Sequence, residues 1–210
     1  MTLATLAAAS PSKALWYLTR GAGVVTLLLL TASLLLGVVT SVGWSWARLP
    51  RFVVVALHRN VSLLVLAFVG IHVSTMVLDG FVPIRWIDAM VPFTGAYHPL
   101  EMGLGALAFD LLLAVLVSSA LRARLSFPTW RLVHWLAYVC WPIALVHGFL
   151  IGTDRREPWM LALDATCLVV VGVAVAWRLR RGTAAAPGAG ASVGGQAAGP
   201  GARRLTGSPS

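Results

Sequence analysis

The chain has 210 residues, of which 59% are hydrophobic and only 11% carry a formal charge. Soluble proteins are usually about half apolar and about a quarter charged, so this balance excludes an ordinary water-soluble domain. The formal net charge of +9 would suggest a nucleic-acid partner in a soluble protein. Here almost all the basic residues flank apolar runs, as membrane topology signals do, so we expect a lipid bilayer as partner and no nucleic acid.

Five apolar segments are long enough to cross a bilayer, since a helix needs about 20 mostly apolar residues to span roughly 30 Å of hydrocarbon. They are Leu15–Thr40, Phe52–Leu78, Gly103–Leu121, Trp130–Leu150 and Trp159–Trp177. Prolines stand in the breaks between them, as expected for connecting segments. The sequence therefore predicts an all-α fold, a polytopic transmembrane bundle of about five helices.

The predicted bundle occupies residues 15–181, between two segments of different composition. Residues 1–14 form a short N-terminal segment whose first basic residue is Lys13. Because a signal peptide has a basic region before its apolar run, we interpret the first run as a retained membrane helix. Residues 182–210 are rich in Gly, Ala, Pro and Ser, a composition that cannot bury a core and predicts a disordered tail.

The distribution of basic residues predicts the orientation in the membrane. With five spans, the 16 Lys and Arg divide into five on one side and eleven on the other. The smaller group is Lys13, Arg20, Arg85, Arg155 and Arg156. The positive-inside rule then puts the N-terminus outside and the C-terminus in the cytoplasm. We expect a multi-pass protein of a cell membrane, such as a bacterial inner or plasma membrane.

Four of the five histidines lie inside predicted spans, where an ionisable residue is costly and indicates a function. His58 and His72 lie on the second span. His134 and His147 lie on the fourth, and their spacing is shorter by a single position. At about 1.5 Å per residue, each pair is separated by roughly 20 Å along its helix. Each of the two spans therefore carries one histidine toward either leaflet.

Because both spans enter from the cytoplasmic side, His58 should lie level with His134, and His72 with His147. Two histidines that face each other at one depth can ligate a haem iron from both sides, with the apolar macrocycle between the helices. At about 100° per residue, the 14 steps on the second span bring its two histidines within about 40° of each other, whereas the 13 steps on the fourth leave about 140°. A kink or bulge at Pro142, which lies between His134 and His147, could restore the second alignment.

The two cysteines, Cys140 and Cys167, lie in apolar runs, and no Cys-x-x-Cys-His sequence occurs. This pattern excludes covalent c-type haem attachment and the common thiolate zinc and iron–sulfur sites.

Two arginines, Arg59 and Arg131, adjoin the histidines of the cytoplasmic level. Their guanidinium groups could pair with haem propionates, or could serve only as positive-inside anchors.

Four other residues leave two interpretations open. Trp141 could bridge electron transfer between the two levels or pack in the interior. Asp110 and Asp164 could relay protons or make hydrogen bonds within the bundle. His98, the fifth histidine, lies in an external loop, where it is either an ordinary loop residue or a contact for a propionate or an electron acceptor.

The two histidine segments, HRNVSLLVLAFVGIH and HWLAYVCWPIALVHG, resemble the ferric reductase-like transmembrane domains. That family includes ferric reductases, the membrane part of NADPH oxidases and the haem-binding membrane subunit of the bacterial methionine sulfoxide reductase system. The resemblance extends over roughly Trp16 to Arg178 and makes the unequal histidine spacing expected. It implies two b-type haems with bis-histidine ligation by His58, His72, His134 and His147.

The chain departs from that family in two ways. The family core usually has six helices, whereas five are predicted here, as though the first were absent. The flavin- and nicotinamide-binding domain of the larger members has no counterpart, because no Gly-rich nucleotide motif occurs. We therefore expect the flavin to be on a partner.

The leading functional hypothesis is a membrane electron-transfer subunit of an oxidoreductase. A cytoplasmic flavin reductase or flavin donor would reduce the inner haem, and the outer haem would reduce an acceptor outside. Candidate acceptors are a redox protein, a ferric chelate, a quinone and oxygen. The alternative is a proton or metal-ion transporter in which the intramembrane histidines and Asp110 form a relay.

Overall fold

The computed structural model describes residues 13–42, 50–80 and 82–184. Within these ranges it contains seven helices: α1 (Lys13–Val42), α2 (Arg51–Leu78), α3 (Trp86–Met90), α4 (Pro99–Ala120), α5 (Phe127–His134), α6 (Ala137–Ile151) and α7 (Pro158–Ala184). The tail predicted for residues 182–210 lies outside the described residues, except for the last three positions of α7. The predicted all-α fold class is confirmed.

Five stretches of helix are long and apolar enough to cross a membrane: Lys13–Val42, Arg51–Leu78, Pro99–Ala120, Phe127–Ile151 and Pro158–Arg181. Each end lies within four residues of the predicted boundary. Large apolar side chains on the outer helix faces are exposed, including Leu63, Val169 and Val173, as expected where lipid takes the place of a protein neighbour. The five predicted spans are confirmed.

The bundle consists of two closely packed helix groups that meet at α1. Helix α1 packs along α2, while α4 packs against α5 and α6, and α1 also contacts α6 and α7. In the described part of the chain, the backbone of α2 lies close to that of α1 and almost nowhere close to those of α4, α5 or α6. A gap between backbones therefore separates α2 from α5 and α6.

The fourth span is interrupted by a short turn, Trp135 and Leu136, between α5 and α6. Around this turn, the amides of Leu136, Tyr138 and Val139 donate to the carbonyl three residues earlier instead of four, and the Trp135 amide donates to both the third and the fourth preceding carbonyl. Bonds to the third carbonyl advance the chain by about 120° per residue instead of about 100°. Three of them add roughly 60°, which supplies less than half of the rotation that the shorter histidine spacing lacks.

Pro142, where the sequence placed a possible kink or bulge, lies inside α6, and the interruption of the span lies upstream of it. A proline removes one amide donor and so frees one carbonyl, but it does not tighten the turn. Part of the rotation comes from the shortened hydrogen bonds just after His134.

The loop between α2 and α4 folds over the beginning of α4. It contains the short helix α3, which opens with a capping box in which the Asp88 carboxylate accepts from the Arg85 backbone amide at 2.9 Å and from its guanidinium at 2.8 Å. This guanidinium holds the pKa of Asp88 below its ordinary value. Phe93 has a φ of 65°, and its ring lies where a Cβ on Gly103 would be. Only glycine at that position lets the loop pack so closely on α4.

Candidate functional site

The four histidines of the spans form two facing pairs. The ring centres of His58 and His134 are 6.2 Å apart, and those of His72 and His147 are 6.5 Å apart. All four side chains are half-buried within the bundle. The structure thus joins the histidines in the two pairs that the sequence suggested, across the gap between α2 and the α5–α6 segment.

Three of the four rings donate a hydrogen bond from Nδ1 to a backbone carbonyl of the neighbouring helix. His58 donates to Ser33 at 2.9 Å, His72 to Thr19 at 2.8 Å, and His147 to Glu101 at 2.7 Å. Because a carbonyl oxygen can only accept, Nδ1 must carry the proton in each ring. The Nε2 of a neutral ring is then an unprotonated nitrogen that can bind a metal.

The fourth ring, that of His134, uses a side chain for the same purpose. Its Nδ1 lies 3.4 Å from the Ser119 hydroxyl oxygen. The Ser119 hydroxyl donates a hydrogen bond to the Val115 carbonyl at 2.7 Å, so its oxygen accepts the hydrogen bond from His134. On the other side, the Trp130 ring stacks on this imidazole with ring centres 5.0 Å apart, and the Arg122 guanidinium covers the indole at 4.8 Å.

The separation within each pair fits two imidazoles bound to opposite sides of one metal atom. With about 2 Å for each metal–nitrogen bond and about 1.1 Å from nitrogen to ring centre, the ring centres would be roughly 6 Å apart. The observed 6.2 and 6.5 Å agree with that value. In the described residues, no three His, Cys, Asp or Glu side chains come together as a separate metal site.

An apolar layer separates the two histidine levels. Val65 lies midway between His58 and His72 on α2 and is 1% exposed. It forms a buried cluster with Ala108 and Leu112 of α4 and Cys140 of α6. The midpoint of the bundle is therefore filled by packed side chains.

The two arginines proposed from the sequence differ in their surroundings. Arg59, next to His58, lines an open cavity of about 590 Å³. The other lining residues are Arg51, Phe52, Val55 and Ala56. Arg131 is exposed and has no hydrogen bond or ion pair from its side chain to the described residues.

Arg178, one of the eleven basic residues on the side of the C-terminus, reaches the level of His58 and His134. Its guanidinium donates to the Tyr138 hydroxyl and lies 4.5 Å from the ring centre of Trp135, the residue after His134. An arginine at the C-terminal end of the last span could have been recognised as a candidate contact for this level, because helix α7 ends there.

The remaining candidates have the following positions. Trp141 is 3% exposed in a cluster shared by α1, α6 and α7, and its indole N–H donates to Thr31 at 2.9 Å, which favours packing over electron bridging. Neither the Asp110 nor the Asp164 carboxylate makes a hydrogen bond to the described residues, and both carboxylate oxygens of Asp164 are buried. His98 is an exposed loop residue at the start of α4, 3.4 Å from Glu101.

Three glycines that the sequence analysis did not single out lie against the histidine rings. A Cβ on Gly105 would lie 2.5 Å from the His147 ring, one on Gly23 3.0 Å from the His72 ring, and one on Gly37 3.4 Å from the His58 ring. A signal was present in the sequence, because the spacing of Gly23 and Gly37 on α1 equals that of the two histidines on α2.

The comparison with known families agrees with this architecture. The family described as ferric reductase like transmembrane component matches residues 22–151, which are more than half of the chain and include both histidine pairs. No curated protein and no solved structure matches the chain. Domains of this family generally bind haem, and the match supports a redox role in the membrane. The chain belongs to the family of ferric reductase-like transmembrane components.

Proposed function

We propose that the chain is a transmembrane b-type cytochrome in which His58 and His134 bind one haem and His72 and His147 bind a second. The observation that carries this proposal is the two facing histidine pairs, with ring centres 6.2 Å apart in one pair and 6.5 Å apart in the other. The Nδ1 atom of each ring is hydrogen-bonded to an oxygen acceptor. When bound, the haems would take up and release single electrons.

The residues of the chain hold such groups in two ways. Nε2 of each histidine would bind a haem iron, while the Nδ1–H···O hydrogen bond to a carbonyl or hydroxyl oxygen fixes the ring and raises its basicity. Because two histidines would hold each haem, an acceptor would receive its electron without binding the iron. Arg59, the residue after His58, lines an open cavity on α2, and we propose that its guanidinium pairs with a haem carboxylate. Arg131 is proposed for the same role on its nearness in sequence to His134.

The direction of transfer follows from the proposed orientation. Eleven of the 16 basic residues fall on the side of the C-terminus, so the level of His58 and His134 would face the cytoplasm. A cytoplasmic flavin reductase or flavin donor would supply electrons there, and a redox protein, ferric chelate, quinone or oxygen would accept them outside. An inside-negative potential favours outward movement of negative charge by about 2.3 kcal/mol per 100 mV. Residues 15–181 would form this electron-transfer subunit of a cell-membrane oxidoreductase.

A haem assay on the purified chain tests the proposal. We expect about two b-type haems per chain by pyridine haemochrome and a reduced-minus-oxidised spectrum typical of bis-histidine ligation. His72→Ala should remove the outer haem and His58→Ala the inner one. His98→Ala is the matched control and should retain both, since His98 lies in a loop outside the pairs. A folded sample without haem would contradict the proposal and favour a transporter.

A further inference from the structure

The accepting carbonyl at three of the four histidines is followed four residues later by a glycine. The pairs are Thr19 and Gly23, Ser33 and Gly37, and Glu101 and Gly105. In an α-helix, the amide at position i+4 already bonds to the carbonyl at position i. An imidazole that reaches the second lone pair of that carbonyl therefore lies over residue i+4, in the space of its side chain.

The closeness of this contact differs among the three glycines. A Cβ on Gly105 would lie 2.5 to 2.9 Å from three atoms of the His147 ring, so the ring would have to move to admit any side chain there. A Cβ on Gly23 would lie 3.0 and 3.1 Å from two atoms of the His72 ring, so the ring would have to shift by a few tenths of an ångström. On Gly37 the nearest distance would be 3.4 Å, an ordinary contact.

The arrangement is repeated along α1 at the spacing of the histidines on α2. Thr19 and Ser33 are separated by as many positions as the two histidines that they hold. The same two α1 residues also bond through their hydroxyls to α2, Thr19 to Thr75 and Ser33 to Ser62, both at 2.8 Å. Helix α1 thus holds α2 at each histidine level by a carbonyl and a hydroxyl.

We propose that Gly23 and Gly105 are positioning residues for the haem-ligand histidines His72 and His147, whereas Gly37 lies in the same place beside His58 without being required, since a Cβ there would make only an ordinary contact. By leaving room for the ring, each positioning glycine lets the preceding carbonyl fix Nδ1–H and so presents Nε2 to the iron. This inference rests on the proposed function, because it concerns the geometry of ligands to a haem.

Alanine substitutions test the inference in a graded way. Gly105→Ala should displace His147 and reduce the haem content from about two to about one per chain. Gly23→Ala should keep the haem but lengthen the hydrogen bond from Nδ1–H of His72 to the Thr19 carbonyl. The longer hydrogen bond lowers the basicity of His72 and raises the midpoint potential of the outer haem. Gly37→Ala should have the smallest effect, since its Cβ would make only an ordinary contact.

Two other glycines are matched controls. Gly21 lies two residues before Gly23 on α1, and Gly148 follows His147 on α6, and neither has an atom within 4 Å of an added Cβ. Helix propensity alone predicts that alanine stabilises the chain at all these positions. A loss of haem or a shift in potential confined to Gly105→Ala and Gly23→Ala can therefore not come from propensity.

The experiment is a haem assay and a spectroelectrochemical titration of the full chain purified in detergent. Unchanged haem content and potentials in both Gly105→Ala and Gly23→Ala would overturn the inference. In that case, about two haems per chain in the wild-type and control proteins would still support the proposed function. If Gly105→Ala fails to fold, the shift in potential of Gly23→Ala against Gly21→Ala decides. A wild-type protein without haem would overturn both proposals.

Discussion

Removal of the Ser119 hydroxyl should shift the potential of the inner haem only. The Ser119 hydroxyl accepts the Nδ1–H of His134 at 3.4 Å, and among the described hydrogen bonds it is the only acceptor for that ring. That distance is beyond the usual range of about 2.7–3.2 Å, so the bond belongs at the low end of the typical contribution, about 0.5 kcal/mol. If all of it acts on the oxidised state, the midpoint potential rises by about 20 mV, since about 59 mV corresponds to a tenfold change for one electron.

The assay is a potentiometric titration of Ser119→Ala in a His72→Ala background, where only the inner haem should remain. Ser118→Ala is the matched control, because the Ser118 hydroxyl donates to the Val115 carbonyl and touches no histidine in the described hydrogen bonds. Ser119→Ala should retain the haem and rise in potential relative to this control. A fall in potential, or a shift as large in the control, would refute the assignment of Ser119 as the acceptor for His134.

Three further predictions follow from the described contacts. Trp141→Phe should lower the free energy of unfolding in detergent by about 1–3 kcal/mol, because it removes the hydrogen bond to Thr31 and leaves a cavity. An altered haem spectrum in this variant would show that Trp141 has more than a packing role. Asp88→Asn should make the loop before α4 more sensitive to protease added outside. Arg85 lowers the pKa of Asp88, so the ion pair stabilises the loop fully above the ordinary pKa of Asp88, and this stabilisation is lost as pH falls through the lowered pKa. A protease sensitivity of the wild-type protein that changes between pH 6 and 8 would contradict the ion-pair explanation. In sided vesicles, His72→Ala should leave the inner haem reducible by a cytoplasmic donor, and a block of that reduction would invert the proposed orientation.

Hydropathy was sufficient to predict the five spans, because a membrane helix is defined by a long apolar run that needs no tertiary information. The pairing of His58 with His134 could also be foreseen, since helix rise alone fixes the depth of each residue in the bilayer. In contrast, the short helix α3 lies in a polar loop and depends on the local bond between Arg85 and Asp88.

The interruption after His134 could not be located from the sequence. Proline is the usual sign of a kink, but Pro142 lies inside α6, downstream of the break. The observed break arises where amides near Trp135 bond three residues back, a choice between two nearly equivalent helical geometries that tertiary packing decides. The glycines beside the rings were likewise missed, because their role depends on a neighbouring helix.

The apolar layer around Val65 has a consequence for the energetics of the membrane. The layer consists of Val65, Ala108, Leu112 and Cys140. The Cys140 thiol donates a hydrogen bond to the Ala108 carbonyl. These side chains offer no relay along which a proton could accompany an electron from one histidine level to the other. In the proposed function, each transfer would therefore be electrogenic: it would discharge an inside-negative membrane, and sustained turnover would require a compensating flow of cations outward through another protein.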